Sequence, residues 1–138
     1  MSQTLDFKLI LKLSLFGLVM ALASVFFLPA TIEPVIWLVI FVFCAFIIAR
    51  AGVSKPFLHG FLVSLANCVW ITSAHVIFFQ TYLANHPERI EMMRSMPDPS
   101  SPRLMIAMTG PLFGIASGLV LGLFAFVASK LVKTTRRA

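Results

Sequence analysis

Charged side chains are scarce in this chain, and acidic ones most of all. Only 12% of its 138 residues are charged, whereas a typical soluble domain has about 25%. Five residues are Asp or Glu, and none of them falls inside a long apolar run. Because a coupled transporter usually keeps a carboxylate in its membrane-spanning part, this absence disfavours proton-driven antiport.

Residues that build metal sites, cofactor sites and disulfides are also few. The two cysteines, Cys44 and Cys68, lie in apolar runs and differ in depth by about 9 Å, at a helical rise of ~1.5 Å per residue. We therefore expect inert buried thiols rather than a redox pair or a disulfide framework. The three histidines, His59, His75 and His86, lie at three depths, so a bis-histidine haem would need pairing between subunits. With no metal motif, phosphate loop or catalytic triad, the sequence predicts no enzyme, no cofactor and no metal site.

Apolar residues dominate what remains. They make up 59% of the chain, against about 45–50% in a soluble domain, and the mean hydropathy is +0.98. Four apolar runs approach or exceed the length of about 20 residues that a membrane span needs. We place the four spans at about 7–28, 34–49, 56–84 and 104–132. The sequence therefore predicts a single all-α domain over residues 1–138, a polytopic membrane protein with four transmembrane helices.

Lys and Arg residues separate into two groups along the chain. Eight of the eleven fall near the two chain ends or between the second and third runs, and three fall between the third and fourth runs. Because cytoplasmic connections carry an excess of Lys and Arg, the sequence predicts that both termini are cytoplasmic. The net charge of +6 does not indicate nucleic-acid binding, since the basic residues flank apolar runs rather than forming one soluble face.

A cleaved signal peptide is the competing interpretation of the first run. Lys8 and Lys12 resemble the basic start of such a peptide, and the stretch 21–23 (Ala-Leu-Ala) resembles its cleavage site. The apolar run continues past that stretch to Leu28, however, so that cleavage would leave a new N-terminus inside the bilayer. We therefore expect the first run to be kept as a span.

Glycine recurs at every fourth position of the last apolar run. Glycines four apart lie along one ridge of a helix, and such a ridge lets a second backbone approach closely, as GxxxG motifs do in lipid. We predict a glycine zipper, a helix-packing ridge made of Gly110, Gly114, Ser117, Gly118 and Gly122. Its partner is either another helix of this chain or a second subunit. Matching depths favour the third span, with Trp70 and His75 as the bulky neighbours.

Polar side chains follow one face of the third run. This polar stripe consists of Ser64, Asn67, Thr72, His75 and Tyr82. Polar groups in hydrocarbon usually face a bundle interior or a cavity, and an intramembrane ionisable residue is a candidate functional residue. Two interpretations stay open: the stripe lines a path for a solute, or its imidazole and amide form hydrogen bonds between helices. We favour the second, because a single histidine without an acidic partner is thin support for a proton relay.

The segment between the third and fourth runs carries signals for a short helix. Asn85 is a good N-cap residue, and Glu88 three positions later completes a pattern like a capping box. Proline is favoured in a first helical turn, and further prolines follow the segment. We predict a helix over about 87–96 in the second outer loop, which lies at the outer membrane interface or caps the bundle. A mobile loop is the alternative, since isolated helices of this length are marginal in water.

The stretch "FLHGFLVSLANCVWITSAHVIFFQTYLANHPE" is followed by a glycine-rich last span and a basic tail. In this order of features the chain resembles small four-span bacterial inner-membrane proteins of uncharacterised, domain-of-unknown-function type. The resemblance covers most of the chain. It implies the four-span topology and a location in the bacterial inner membrane, and it implies no activity.

Two functions stay open at this point. The first is a non-enzymatic membrane protein that acts through helix packing, as a homo-oligomer or as an accessory subunit of a larger membrane partner. The second is a small pore or carrier lined by the polar stripe. In both, the immediate partner of the protein is the lipid bilayer, and no nucleic acid is involved.

Overall fold

A computed structural model of the chain describes residues 5–97 and 100–137, with side chains described to residue 133. The described residues form six helices: α1 (Phe7–Phe26), α2 (Glu33–Ala51), α3 (Pro56–Ile77), α4 (Phe79–Asn85), α5 (Glu88–Arg94) and α6 (Pro102–Arg137). By length and composition, α1, α2, α3 and α6 can each cross a membrane. This confirms the prediction of an all-helical, multi-pass membrane protein.

Short sequence signals set the ends of these helices. Asp6 is the N-cap of α1, and its carboxylate accepts a hydrogen bond from a first-turn backbone N–H at 3.0 Å. Pro34 lies in the first turn of α2, which ends at Ala51 and is capped by Gly52 with a φ of 68°. Glycine adopts this left-handed conformation without a steric penalty. Helices α3 and α6 begin at Pro56 and Pro102, because a first helical position needs no N–H donor.

The third apolar run is divided into two helices. The sequence predicts one span over about 56–84, but α3 ends at Ile77 and α4 follows after one residue, Phe78. Beyond this break, Phe79 and Tyr82 are buried in a cluster that also contains residues of α1 and α5. The division therefore lets the end of the run pack over the bundle as a separate element.

Helix α5 occupies most of the segment for which a helix is predicted. It spans Glu88–Arg94, within the predicted range 87–96, and its interfacial location stays a prediction. The predicted capping by Asn85 is wrong, because the N-cap residue is Pro87 and it makes no side-chain hydrogen bond. The amide of Asn85 instead donates to the carbonyl oxygen of Val25 at 2.8 Å. It thus satisfies a backbone acceptor at the C-terminal end of α1, where helices leave carbonyl groups unpaired.

Contacts between helix ends show that α1 and α3 run in the same direction. At the start of α1 and α3, the backbone N–H of Asp6 donates to Nε2 of His59 at 3.0 Å. At their other ends, Nε2 of His86 lies 2.8 Å from the carbonyl oxygen of Leu28. We name the first of these the basic end, because exposed lysines and an exposed arginine surround it, namely Lys8, Lys12, Arg50, Lys55, Lys130 and Lys133. The opposite end holds α4 and α5.

Helix α3 packs mainly against α1 and α6, and the glycines of α6 face it. A methyl group added to Gly114 would come within 2.8 Å of Cβ of Cys68, and one added to Gly118 within 2.7 Å of the Phe61 ring. Gly110 faces the hydroxyl of Thr72 in the same way. The close approach that a ridge of small residues permits is thus used inside the chain, against the third span.

The neighbours of the glycine ridge are different from those that the sequence suggests. Trp70 and His75 do not lie on this seam. The indole N–H of Trp70 donates to the hydroxyl of Ser14 at 3.3 Å, and Nε2 of His75 lies 3.5 Å from the hydroxyl of Ser24. Both residues therefore contact α1. Depth along the spans does not determine which face of α3 meets α6.

Candidate functional site

A crevice of about 690 Å³ opens between α2, α3 and α6 in the half of the bundle away from the basic end. Helix α2 packs mainly against α6 and contacts α3 only slightly, so its first half stands apart from α3. The structure places every residue of the predicted polar stripe on this crevice, namely Ser64, Asn67, Thr72, His75 and Tyr82. The α3 part of the lining, residues 64–75, is about 16 Å long at ~1.5 Å per residue.

The two sides of the crevice differ in polarity. The stripe supplies hydroxyl, amide and imidazole groups from α3, whereas α2 faces it with Trp37, Leu38 and Phe41. Helix α6 adds apolar side chains, among them Phe113 and Val120. A crevice with a few polar groups in a mostly apolar lining is typical of binding sites for small molecules.

The crevice is closed toward the basic end by a tightly packed core. Along α3 the lining begins at Ser64, next to the fully buried Val63. Along α6 the lining ends at Val120, next to the fully buried Leu121. Cys44 of α2 is buried in the same core cluster. Because side chains of three spans and of α1 fill this level, the crevice is blind in this conformation rather than a continuous pore.

The mouth of the crevice, at the opposite end, carries charged and aromatic groups. Glu33 of α2 and Arg89 of α5 both line it. The ring centroids of His75 and Tyr82 are 4.3 Å apart, and those of Tyr82 and His86 are 4.6 Å apart. Both Arg89 and Glu33 lie within electrostatic range of Tyr82, so a cation and an anion are present at the same opening.

Most polar groups of the lining have partners within the protein. The hydroxyls of Ser64 and Ser117 are 2.9 Å apart, which joins α3 to α6 at the blind end. The thiol of Cys68 donates to the carbonyl oxygen of Gly110 at 2.8 Å and lies 3.7 Å from the hydroxyl of Thr72. These groups are already satisfied: the Ser64–Ser117 and Cys68–Gly110 contacts join α3 to α6, and the Cys68–Thr72 contact lies within α3.

Asn67 is the exception. Its side chain is 2% exposed, and neither the nitrogen nor the oxygen of its amide has a hydrogen-bond partner among the described residues. It packs against Gly17 of α1, where even a methyl group would collide with the amide, and it lines the crevice. An unpaired amide in an apolar interior costs about 1–3 kcal/mol. A polar group held at such a cost is a candidate contact for a ligand.

The charged lining residues were not identifiable from the sequence pattern. Arg89 and Glu33 read as ordinary loop charges, because they lie outside the apolar runs and on separate connections. Only the tertiary structure brings α5 over the mouth. Nε of Arg89 is buried and without a hydrogen-bond partner among the described residues, which sets this arginine apart from an ordinary surface charge.

The site offers no cage for a metal ion. Over residues 5–97 and 100–133, no three His, Cys, Asp or Glu side chains lie close enough together to hold one. Comparisons of the chain with protein-family models, with curated proteins and with solved structures find no match. The crevice must therefore be interpreted from its own chemistry.

Proposed function

We propose that this chain is a non-enzymatic integral membrane protein that binds a small amphipathic molecule in the crevice. The observation that carries the proposal is Asn67, a buried and unpaired amide on the lining of a crevice that is polar on one side and apolar on the other. Of the pore and the carrier, the blind end favours the carrier or a binding protein, because a pore needs a continuous path.

Blocking the crevice tests this proposal. Leu38 lines the crevice and is 54% exposed, so Leu38→Trp should fill the opening without disturbing the packed core. Val39, the next residue, is 63% exposed and lies outside the lining, which makes Val39→Trp a matched control. The full-length protein would be reconstituted in nanodiscs and the retained small molecules identified by native mass spectrometry. Leu38→Trp should lose the bound molecule and Val39→Trp should keep it, and equal occupancy in the two variants would refute the proposal.

Action through helix packing, as a homo-oligomer or an accessory subunit, is a second proposal. The glycine ridge faces α3, so a contact between subunits would use another surface. Helix α2 is the least buried of the four spans, and this favours it as the contact with a larger membrane partner or a second copy. Mass measurement in mild detergent distinguishes a monomer from an oligomer, and a Phe46→Ala variant on the exposed face of α2 should weaken any oligomer.

We further propose that the protein resides in a bacterial inner membrane with both termini cytoplasmic. The proposal is supported by the basic residues that surround one end of the bundle. Single cysteines at Ala138 and Ser95 in a Cys44→Ala, Cys68→Ser background would be labelled in intact cells with an impermeant reagent. Labelling should occur at position 95 and not at position 138, and the reverse pattern would contradict the orientation.

A further inference from the structure

The crevice is open along its side within the spans. Three of its apolar lining residues remain largely exposed, with Leu38 at 54%, Phe113 at 74% and Val120 at 45%. In a membrane these side chains face lipid rather than water. A molecule can therefore enter laterally from the bilayer, and its apolar part would lie along α2 and α6.

The mouth presents two opposite charges that are not paired with each other. Among the described side chains, neither Arg89 nor Glu33 forms an ion pair within 4.0 Å. Glu33 is the first residue of α2, where the positive end of the helix dipole stabilises a carboxylate. A guanidinium binds phosphate through charge-assisted hydrogen bonds, and a carboxylate binds an ammonium group. The mouth thus matches a head group that carries both charges.

From these observations we propose that the occupant is one zwitterionic phospholipid of the phosphoethanolamine type. Its phosphate binds Arg89, its ammonium group binds Glu33, and its acyl chain lies in the crevice. The inference rests on the proposed function and specifies the ligand class of the same site.

The dimensions of the crevice agree with this occupant. The lining of α3 extends about 16 Å at ~1.5 Å per residue, and one leaflet of a bilayer has about half of the ~30 Å hydrocarbon thickness. A lipid whose head lies at the mouth would therefore have its chain beside Ile71 and Phe41. Its ester groups lie below the phosphate, on the side of the crevice where the stripe provides polar groups.

Head-group selection provides the test. The full-length protein would be placed in nanodiscs with equal amounts of phosphatidylethanolamine, phosphatidylglycerol and phosphatidylcholine, and the co-purifying lipid would be quantified by native mass spectrometry. We expect phosphatidylethanolamine to be enriched over its bulk fraction. Arg89→Gln should weaken retention of every phospholipid by about tenfold, because each loses its phosphate contact. Glu33→Gln should keep phospholipid binding and remove the preference for ethanolamine.

Matched control variants and a competition with inorganic phosphate complete the test. Arg94→Gln and Glu91→Gln change exposed charges of α5 outside the lining and should leave the bound lipid unchanged. Added inorganic phosphate should not displace the lipid, and displacement would show a simple anion site. The inference would be overturned if the bound lipid had the same composition as the bulk lipid. It would also be overturned if Arg89→Gln left the amount of retained lipid unchanged. If Leu38→Trp releases a molecule that is not a phospholipid, the inference fails and the proposed function stands.

Discussion

Replacing Asn67 by leucine tests the proposed site, because this variant of a buried residue should be more stable than the unmodified protein rather than less stable. Leucine has the same number of side-chain heavy atoms as asparagine, so it should fit against Gly17 while removing the unpaired amide. Burying such an amide costs about 1–3 kcal/mol, although hydrogen bonds in membrane proteins average only ~0.6 kcal/mol. We therefore expect Asn67→Leu to raise the free energy of unfolding of the delipidated protein by about 1 kcal/mol, from the lower part of that range.

The same substitution at Asn85 is the matched control. The amide of Asn85 donates to the carbonyl oxygen of Val25 at 2.8 Å, so Asn85→Leu removes a bond that exists and should destabilise the protein by ~0.5–1.5 kcal/mol. Thermal unfolding can be followed with a thiol-reactive dye, since Cys44 is fully buried and reacts only on unfolding. A Cys68→Ser background removes the second thiol.

Added lipid completes this prediction. A ligand that binds only the folded state raises its stability by about 2.7 kcal/mol at a hundredfold excess over its dissociation constant. Phosphatidylethanolamine should therefore stabilise the unmodified protein more than it stabilises the Arg89→Gln variant, which lacks the phosphate contact. If Asn67→Leu destabilises the delipidated protein, the amide has a structural partner and the reasoning about Asn67 is refuted.

Three further predictions concern other parts of the fold. Gly114→Leu should destabilise the α3–α6 seam by about 1–3 kcal/mol, whereas Ala116→Leu, on an exposed face of α6, should not; equal melting temperatures would contradict the close approach. His75→Gln should be tolerated if the imidazole only contacts α1, and a proton or ion flux in liposomes between about pH 5 and 8 that is lost in this variant would instead indicate transport. Spin labels placed singly at 88–94 should report a helical pattern of accessibility, and uniform mobility would exclude an ordered interfacial helix.

The number and limits of the spans follow from the sequence because they depend on local composition. A run of apolar residues needs no partner to be recognised, and prolines and Gly52 mark several ends directly. The break at Phe78 has no such signal. It separates α3 from α4 inside a continuous apolar run, and the burial of Phe79 and Tyr82 against α1 and α5 is a tertiary effect. Local pattern therefore determines which residues are apolar and helical, but not where a helix ends to cover its neighbours.

The glycines show a second limit. A ridge at fixed spacing is visible in the sequence, and so is the run that faces it at the same depth. Gly60 is isolated in the sequence, so no spacing pattern marks it as a contact residue. Yet a methyl group on Gly60 would come within 2.7 Å of the carbonyl oxygen of Leu121 and within 2.9 Å of Cα of Gly122. Spacing detects one side of a helix contact, and the single small residue that completes the other side is found only when the helices are placed together.

The crevice shows the same limit of sequence patterns for the candidate site. The polar stripe is evident from helical periodicity, because its members recur on one face of one helix. Arg89 and Glu33 come from separate parts of the chain: Glu33 begins α2, and Arg89 reaches the mouth because α5 folds over the end of the bundle. A stripe of uncharged groups by itself suggests contacts between helices. With a cation and an anion added at its outer end and a blind, laterally open apolar space below, the same stripe becomes one wall of a site for an amphipathic molecule.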